Sequence, residues 1–498
     1  MAKHKMINTH VGCFATVKTM FLQAQDREGG SRTMHNSDFK IPKTINLFIG
    51  LVAACFSIAG YSAPDASRLG KDLTSIGAEV AGNKDKTIPA WDGTDSPTAG
   101  YAFGKNRGDF WKFKTEPKLF SIDASNIDKY VDKLSPGQIE LIRKKKGYRM
   151  DVYPTHRNCG VPQFVAENTK KNVSEGKLAS NGHDMQEAIV PGIPFPMPEN
   201  GAQVIWNSKL AYRGVGTYWE GFSAYISPAK GGTWNAIKQN QTFFYPWAEK
   251  GSRKLSTLPA YESMGYAEYL SPAALAGMNT LINVRSDDAV ESFVYFPGQR
   301  RVRRMPTYAY DAPFVGAENQ YTIDTYNMLY GRIDRFDWKL AGKKELYIPH
   351  NTFSRYDRHL PVNTVLKDDM VNPDGGRYEL HRVWVVEATV KEGTRHISPK
   401  RTFYLDEDTW DISVAEDYDA HGKIWKIRES WQIPFWEIGG TCSFTGFVGY
   451  DLSSGRYIVD SAVIGAARDV ELLADPSAKP SLNINFFSPE SMRARSER

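Results

Sequence analysis

Long apolar runs are almost missing from this 498-residue sequence. The longest, Ile45–Ile58, covers about 14 positions, whereas a bilayer-crossing helix needs roughly 20. Cysteine is equally sparse: Cys13, Cys55, Cys159 and Cys442 are the full set, and no two stand at zinc-binding spacing. Catalytic signatures are lacking as well. The chain has no G-x-S-x-G elbow, no Walker loop and no H-E-x-x-H helix. Gly214-Val215-Gly216 lacks the third glycine of a dinucleotide fingerprint and precedes a strand-like run rather than a helix. Acidic groups such as Asp368-Asp369 and Asp406-Glu407-Asp408 sit in turn-like sequence, where acids are ordinary. The ten histidines are scattered; His381 and His396 can approach across neighbouring strands, but no carboxylate accompanies them, so no metal centre is expected. With no catalytic set and no cofactor motif to assign, the protein is read as non-enzymatic.

An excess of positive charge is also missing from the body of the chain. The formal net charge is +5, but Lys3, Lys5, Lys18, Arg27, Arg32, Lys40 and Lys43 outnumber Asp26, Glu28 and Asp38 within residues 1–62. The remainder is near +1, which argues against nucleic acid as a partner.

What is present at the start is a leader. From Met34, Lys40 and Lys43 form a positive region, Ile45–Ile58 an apolar stretch, and small residues precede the polar sequence at Asp65. That order marks a secretory signal over 34–62, with 1–33 an upstream extension from a mis-called start. Cleavage sites are offered by the small residues of Ser57-Ile58-Ala59 and Gly60-Tyr61-Ser62. Val52-Ala53-Ala54-Cys55 resembles a lipobox, with Cys55 as the lipidated residue, although the sequence after it stays apolar. Export as a soluble periplasmic protein is the main reading, and a lipid anchor on an envelope membrane the alternative. Only Cys159 and Cys442 then remain, a candidate disulfide in an oxidising compartment.

The body is globular and rich in aromatics, with 12 Trp, 25 Tyr and 25 Phe, residue types that favour strands and apolar pockets. Residues 63–203 read as an N-terminal extended and helical region, and 204–498 as a β-rich domain. Within the first, 64–120 is dense in Gly, Pro, Asp and Lys and has weak periodicity. Asn126–Leu134 reads as a helix, and Ser135-Pro136-Gly137-Gln138 as the cap of a second. The zone 154–203, with its alternating prolines at 194–198, reads as loop. Ser271-Pro272-Ala273-Ala274-Leu275 reads as a helical insertion among strands.

The clearest strand is Arg377–Val390, where Tyr378, Leu380, Trp384, Val386, Ala388 and Val390 share one face. Glu379, His381, Glu387 and Thr389 fall on the other. Arg382 interrupts the apolar face, either paired in the core or aimed at an anionic ligand head; with Trp384 it is a candidate ligand contact. A meander follows, with turns at Asp406-Glu407-Asp408, Asp419-Ala420-His421-Gly422 and Ser453-Ser454-Gly455. The fold expected is mainly β (α+β): a large curved antiparallel sheet or open barrel with a few helices and a long extended N-terminal segment. Arg300, Arg301, Arg303 and Arg304 form the one unusual charge cluster. They can bind a phosphate or carboxylate head group, or serve as a charged edge strand that resists aggregation.

Several blocks resemble a known family. They include Leu73–Asn83, Thr87–Trp91, Arg149–Arg157, Gly192–Pro196, Pro297–Arg304, Asp337–Glu345 and Tyr378–Trp384. Together they are similar to an exported proteobacterial family, a domain of unknown function sometimes labelled outer-membrane lipoprotein-sorting protein. The resemblance implies kinship of the β-rich half with periplasmic lipoprotein carriers, whose curved sheet and helices enclose an apolar cavity. It also implies association with outer-membrane proteins and envelope transporters of the resistance-nodulation-division type, and it carries over no site residues. The expectation is a periplasmic binding or carrier protein for a lipid or other hydrophobic compound, working with an envelope transport system. The alternative is a non-enzymatic outer-membrane assembly or scaffold factor. An envelope hydrolase would need a nucleophile–base pair that the sequence does not display.

Overall fold

The computed structural model describes residues 64–497; the extension 1–33, the leader and its cleavage region, and Cys55 lie outside the described residues. Sixteen strands make one sheet. Its path runs Phe120–Ile122, Met150–Val152, Tyr378–Val390, Lys400–Asp406, Ile412–Tyr418, Ile424–Phe435, Thr441–Asp451 and Tyr457–Ala462. It continues through Gly216–Ile226, Asn235–Phe244, Tyr261–Ser271, Asn279–Arg285, Glu291–Phe296 and Arg301–Arg304. Phe336–Pro349 pairs beside Tyr378–Val390, and Glu471–Leu473 beside Gly216–Ile226. Pairing is antiparallel except where Val152 meets Tyr378. The two end strands do not pair with each other, so the sheet is open rather than a closed barrel. The protein is thus mainly β, as expected, with strands drawn from both 63–203 and 204–498.

Side chains alternate across the strands, and both faces are covered. Along Lys400–Asp406, Phe403 and Leu405 enter one core while Tyr404 enters the other. The first core is roofed by the helices Gln163–Glu175 and Gly201–Lys209 and by the segment 305–335, through Val165, Ile205, Trp206, Phe314, Tyr321 and Tyr326. The second is covered by the helix Pro136–Lys144, through Leu141 and Ile142. Near the other end of the sheet the C-terminal helix Pro489–Ser496 buries Met492 in a third cluster. A bulge at Trp431/Gln432 lets one strand serve both sides: Ile427 and Trp431 lie in the second core, Ile433 and Phe435 in the first.

Double coverage changes the meaning of the polar positions. Glu379 and His381, expected on the polar face of their strand, are fully buried, and Tyr378 and Leu380 enter the second core while Val386 and Ala388 enter the first. Arg401 is enclosed between Asp324 (2.8 Å) and Asp417 (2.9 Å), and Arg428 also pairs with Asp417. Burial works against ionising Asp324, but Arg401 and His396 win and hold its carboxyl down to about 2. This ion pair clamps the segment 305–335 to the sheet.

Local structure departs from expectation in three places. Asn126–Leu134 is two single turns, Ile127–Lys129 and Val131–Lys133, rather than one helix. Asn126 there accepts the Asp123 N–H (2.9 Å) and donates to the Ser121 carbonyl (2.8 Å), and such local side-chain bonds compete with helix propagation. Ser271–Leu275 is a turn, not a helix: Gly277 at φ +80° returns the chain, its N–H donating to the Tyr269 carbonyl (2.9 Å). Within the supposed loop 154–203 lies the helix Gln163–Glu175. Its buried face is largely Asn168, Thr169 and Asn172 rather than hydrophobic, so no apolar period betrays it. The two asparagines donate to the carbonyls of Pro191 and Ile189 (both 2.9 Å).

The helix Pro136–Lys144 has the cap the sequence announces, with Ser135 and Gln138 bonding reciprocally. Its second residue, Gly137, donates its N–H to the buried Glu416 carboxylate (2.6 Å), a favourable place for negative charge. A Cβ there would stand 2.6 Å from Ile427 Cδ1 and 2.9 Å from that carboxylate. Gly137→Ala is expected to cost about 1–3 kcal/mol by overpacking, read as a lower urea midpoint at unchanged slope. Asp324→Asn is expected to cost about 2–3 kcal/mol at pH 7 by leaving Arg401 short of a partner. Because the folded carboxyl titrates below its unfolded value, its contribution is present above about pH 4 and fades as pH falls toward about 2. Urea unfolding across that range should show wild type and variant converging.

Candidate functional site

A small hollow of about 30 Å3 opens between the first face of the sheet and the segment 305–335. Its floor is two cross-strand rows. Gln241, Ala267 and Thr280 are in register across three strands, and so are Phe243, Gly265 and Ile282. Small residues at the centre of each row make the hollow. At Gly265 a Cβ would come within 2.8 Å of the Phe243 ring, so the glycine lets that ring lie over the neighbouring strand.

The roof is aromatic. Phe314, Ile323, Tyr326 and Tyr330 form it, and Tyr266 also borders the hollow. Tyr326 stacks against Phe314 at 5.7 Å and Phe243 at 6.2 Å, and meets Tyr330 edge-on at 5.9 Å. The Tyr326 hydroxyl donates to Gln241 Oε1 (2.6 Å), tying roof to floor. Burial pushes the Tyr326 and Tyr330 phenols well up, so they stay protonated. The roof is itself anchored. Ser292 Oγ donates to the Tyr308 carbonyl (2.7 Å), and Tyr321 donates to the buried Asp460, whose carboxyl burial pushes up to about 6. The lining therefore offers apolar and aromatic surface with an amide, a hydroxyl and phenols as its polar groups, and includes no carboxylate, histidine or cysteine. Such a site suits an uncharged or weakly polar organic molecule. A larger half-open cleft of about 470 Å3, between Trp111, Tyr153, Phe353 and Arg377, is more polar, and its Arg377 is already paired with Glu116 (3.0 Å).

The residues nominated from sequence lie elsewhere. Arg300, Arg301, Arg303 and Arg304 are exposed on the outermost hairpin, and none of them makes an ion pair among the described residues. Arg382 binds Glu407 (2.6 Å) and the carbonyls of Glu79 and Ala81 (3.2 and 2.6 Å), pinning the N-terminal segment. Trp384 stacks on Trp410 at 5.9 Å, with the Lys343 ammonium 4.5 Å from its ring centre. None of these lines the cavity. His396 bonds Asp324 (2.9 Å) rather than approaching His381, whose ring instead neighbours that of His350 at 4.3 Å. Cys159 and Cys442 are joined, with Cα atoms 5.3 Å apart. The cavity residues escaped sequence reasoning because the roof 305–335 has turns rather than periodicity. The one local signal is the aromatic run Gln241–Tyr245, which overlaps the strand Asn235–Phe244 and supplies Gln241 and Phe243.

Comparison with known proteins places the chain. A domain from Vibrio parahaemolyticus described as an outer membrane lipoprotein-sorting protein aligns at 12% identity and a TM-score of 0.40, covering 59% of this chain and 98% of that one. A DUF1329 family protein from Desulfovibrio piger aligns at 14% identity and 0.37, covering 56% and 92%. At such scores neither likeness carries the argument. An uncharacterized protein of Pseudomonas aeruginosa, PA3922, is 37% identical over 415 residues, 80% of this chain and 88% of that protein. The family model described as "Protein of unknown function (DUF1329)" matches residues 121–493. With most of its length matched in both ways, the chain belongs to the DUF1329 family.

Proposed function

We propose that this protein binds and carries a hydrophobic compound, a lipid or other apolar molecule, in the cavity under the segment 305–335. The observation that carries this reading is the cavity's lining: aromatic and aliphatic walls, a few fixed hydrogen-bonding groups, and no ionisable pair suited to general acid–base work. Burial of apolar ligand surface, about 25 cal/mol per Å2, would supply most of the affinity. Gln241 and Thr280 would orient the polar end. The hollow, about 30 Å3, is far smaller than the usual ligand pocket, so a guest would enter only as the rings of the roof move apart.

The periplasm is the proposed compartment, supported by the signal-like pattern of 34–62 and by the Cys159–Cys442 bond. No helix among the described residues is long and apolar enough to cross a membrane. Delivery to or from an envelope transporter or outer-membrane protein is the proposed context. The exposed arginine hairpin is available for such a contact.

Extraction of protein made in its native envelope, followed by mass spectrometry, is expected to release a stoichiometric hydrophobic compound. Ala267→Leu, which fills the centre of the floor, is expected to weaken uptake of a fluorescent fatty acid at least tenfold, about 1.4 kcal/mol, with circular dichroism unchanged. Empty protein that takes up neither fatty acid nor a neutral apolar dye would end the carrier reading.

A further inference from the structure

We propose that the half-open cleft between the N-terminal segment and the sheet's Tyr378 end binds a saccharide, free or carried on a lipid. One wall comes from residues 106–116 and the other from 351–360, with Tyr153 and residues 375–377 joining them. Its volume of about 470 Å3 falls within the range usual for ligand sites, unlike that of the aromatic hollow. The two linings share no residue, so this site stands apart from the carrier reading.

A fixed guanidinium organises the cleft. Arg377 lies against the rings of Trp111 and Tyr153, its Cζ 4.7 and 4.5 Å from their centres. Its Nε donates to Glu379 (2.6 Å), and Nη2 donates to Glu116 and to the Pro154 carbonyl (both 3.0 Å). Glu116 is steadied in turn by His156 Nε2 at 2.9 Å. These bonds leave Nη1 without a partner among the described residues, on a side chain only 6% exposed. Trp111 is in a similar state. Its ring stacks on Phe353 at 5.0 Å, and its buried Nε1 has no acceptor. A buried donor left so costs about 1–3 kcal/mol. Two rigid donors at one cleft thus call for acceptors.

The same cleft offers open acceptors. Asp109 is exposed, and its carboxylate makes no hydrogen bond or ion pair among the described residues. Asp357 accepts from the Asn106 amide (3.3 Å) and the His359 N–H (2.9 Å), which leaves lone pairs on both oxygens. Phe353, Tyr153 and Leu360 add apolar surface beside these groups. Gly108, Gly375 and Gly376 line the cleft without side chains and let a ring approach the backbone.

These features select the guest's chemistry. Asp109, Glu116 and Asp357 nearly balance Lys114 and Arg377, so neither an anion nor a cation is singled out. A purely apolar guest would leave the donors and carboxylates unpaired, at a cost. Hydroxyl groups both donate and accept. A sugar ring carries them around its edge and packs its C–H face on carbon, which satisfies donors, carboxylates and apolar walls together.

Isothermal titration of the full protein with the methyl glycosides of glucose, galactose and N-acetylglucosamine tests the assignment. At least one is expected to bind, at one site per chain, with a Kd in the millimolar range or tighter. Octyl glycosides below their micelle concentration separate the sources: tighter binding at that site marks a lipid-borne sugar, equal binding a free one. Trp111→Phe keeps the ring and deletes Nε1; it is expected to weaken the glycoside at least fivefold with circular dichroism unchanged. Asp109→Ala, at an exposed position, is expected to do the same and decides the matter should Trp111→Phe not fold. Failure of every glycoside to bind at millimolar concentration would overturn the proposal, as would undiminished binding by the variants. Tighter binding of tetra-alanine than of any glycoside would also overturn it, making the cleft a peptide site.

Discussion

Everything in this molecule depends on a wide sheet having both of its faces taken out of water. A sheet with one solvated face can leave its charges there; here most positions of the central strands turn toward a core. A charge carried by a strand must then find an opposite charge inside. The result is the chain of buried pairs running from Asp324 through Arg401 and Asp417 to Arg428. The same constraint explains Arg157 on Asp408 and Arg382 on Glu407. These pairs are weak sources of net stability, but they fix which segment lies where, because a misplaced segment would strand a charge.

The cavity is the consequence of how the first face is roofed. Helices cover part of it with close-packed aliphatic groups such as Val204 and Ile205, whereas the segment 305–335 covers the rest with rings. Rings that stack on one another over Gly265 and Ala267 cannot follow the floor, and the gap left between them is the hollow. The roof holds its place through Asp324, Tyr308 and Tyr321 at its margins rather than by filling the space beneath. That division, margins fixed by polar bonds and a centre left open and apolar, suits a site that must take in a hydrophobic guest.

Much of the β architecture was legible because its signals are local. The run Arg377–Val390 and the meander after it, with turns at 406–408, 419–422 and 453–455, alternate β-rich stretches with turn residues, and strands lie there. The Ser135–Gln138 cap was legible for the same reason, since its bonds span three residues. Legibility failed where burial was polar. Gln163–Glu175 buries asparagines, and Asn126 spends its amide on nearby backbone, so hydropathy misled in opposite directions at the two places.

By itself, the sequence determined the fold class, the family and the absence of familiar catalytic motifs, because composition, period and contiguous blocks survive without knowledge of partners. It also limited the cysteine pairing to Cys159 and Cys442, given a removed leader. Only the tertiary structure decided which side chains meet. The cavity draws on residues from 241 to 330. Arg382 and Trp384 looked like ligand contacts from their strand alone. Glu407, Ala81 and Trp410, which occupy them, come from elsewhere in the chain. Contacts between distant residues depend on register and on which segment roofs which face, and no local pattern encodes either.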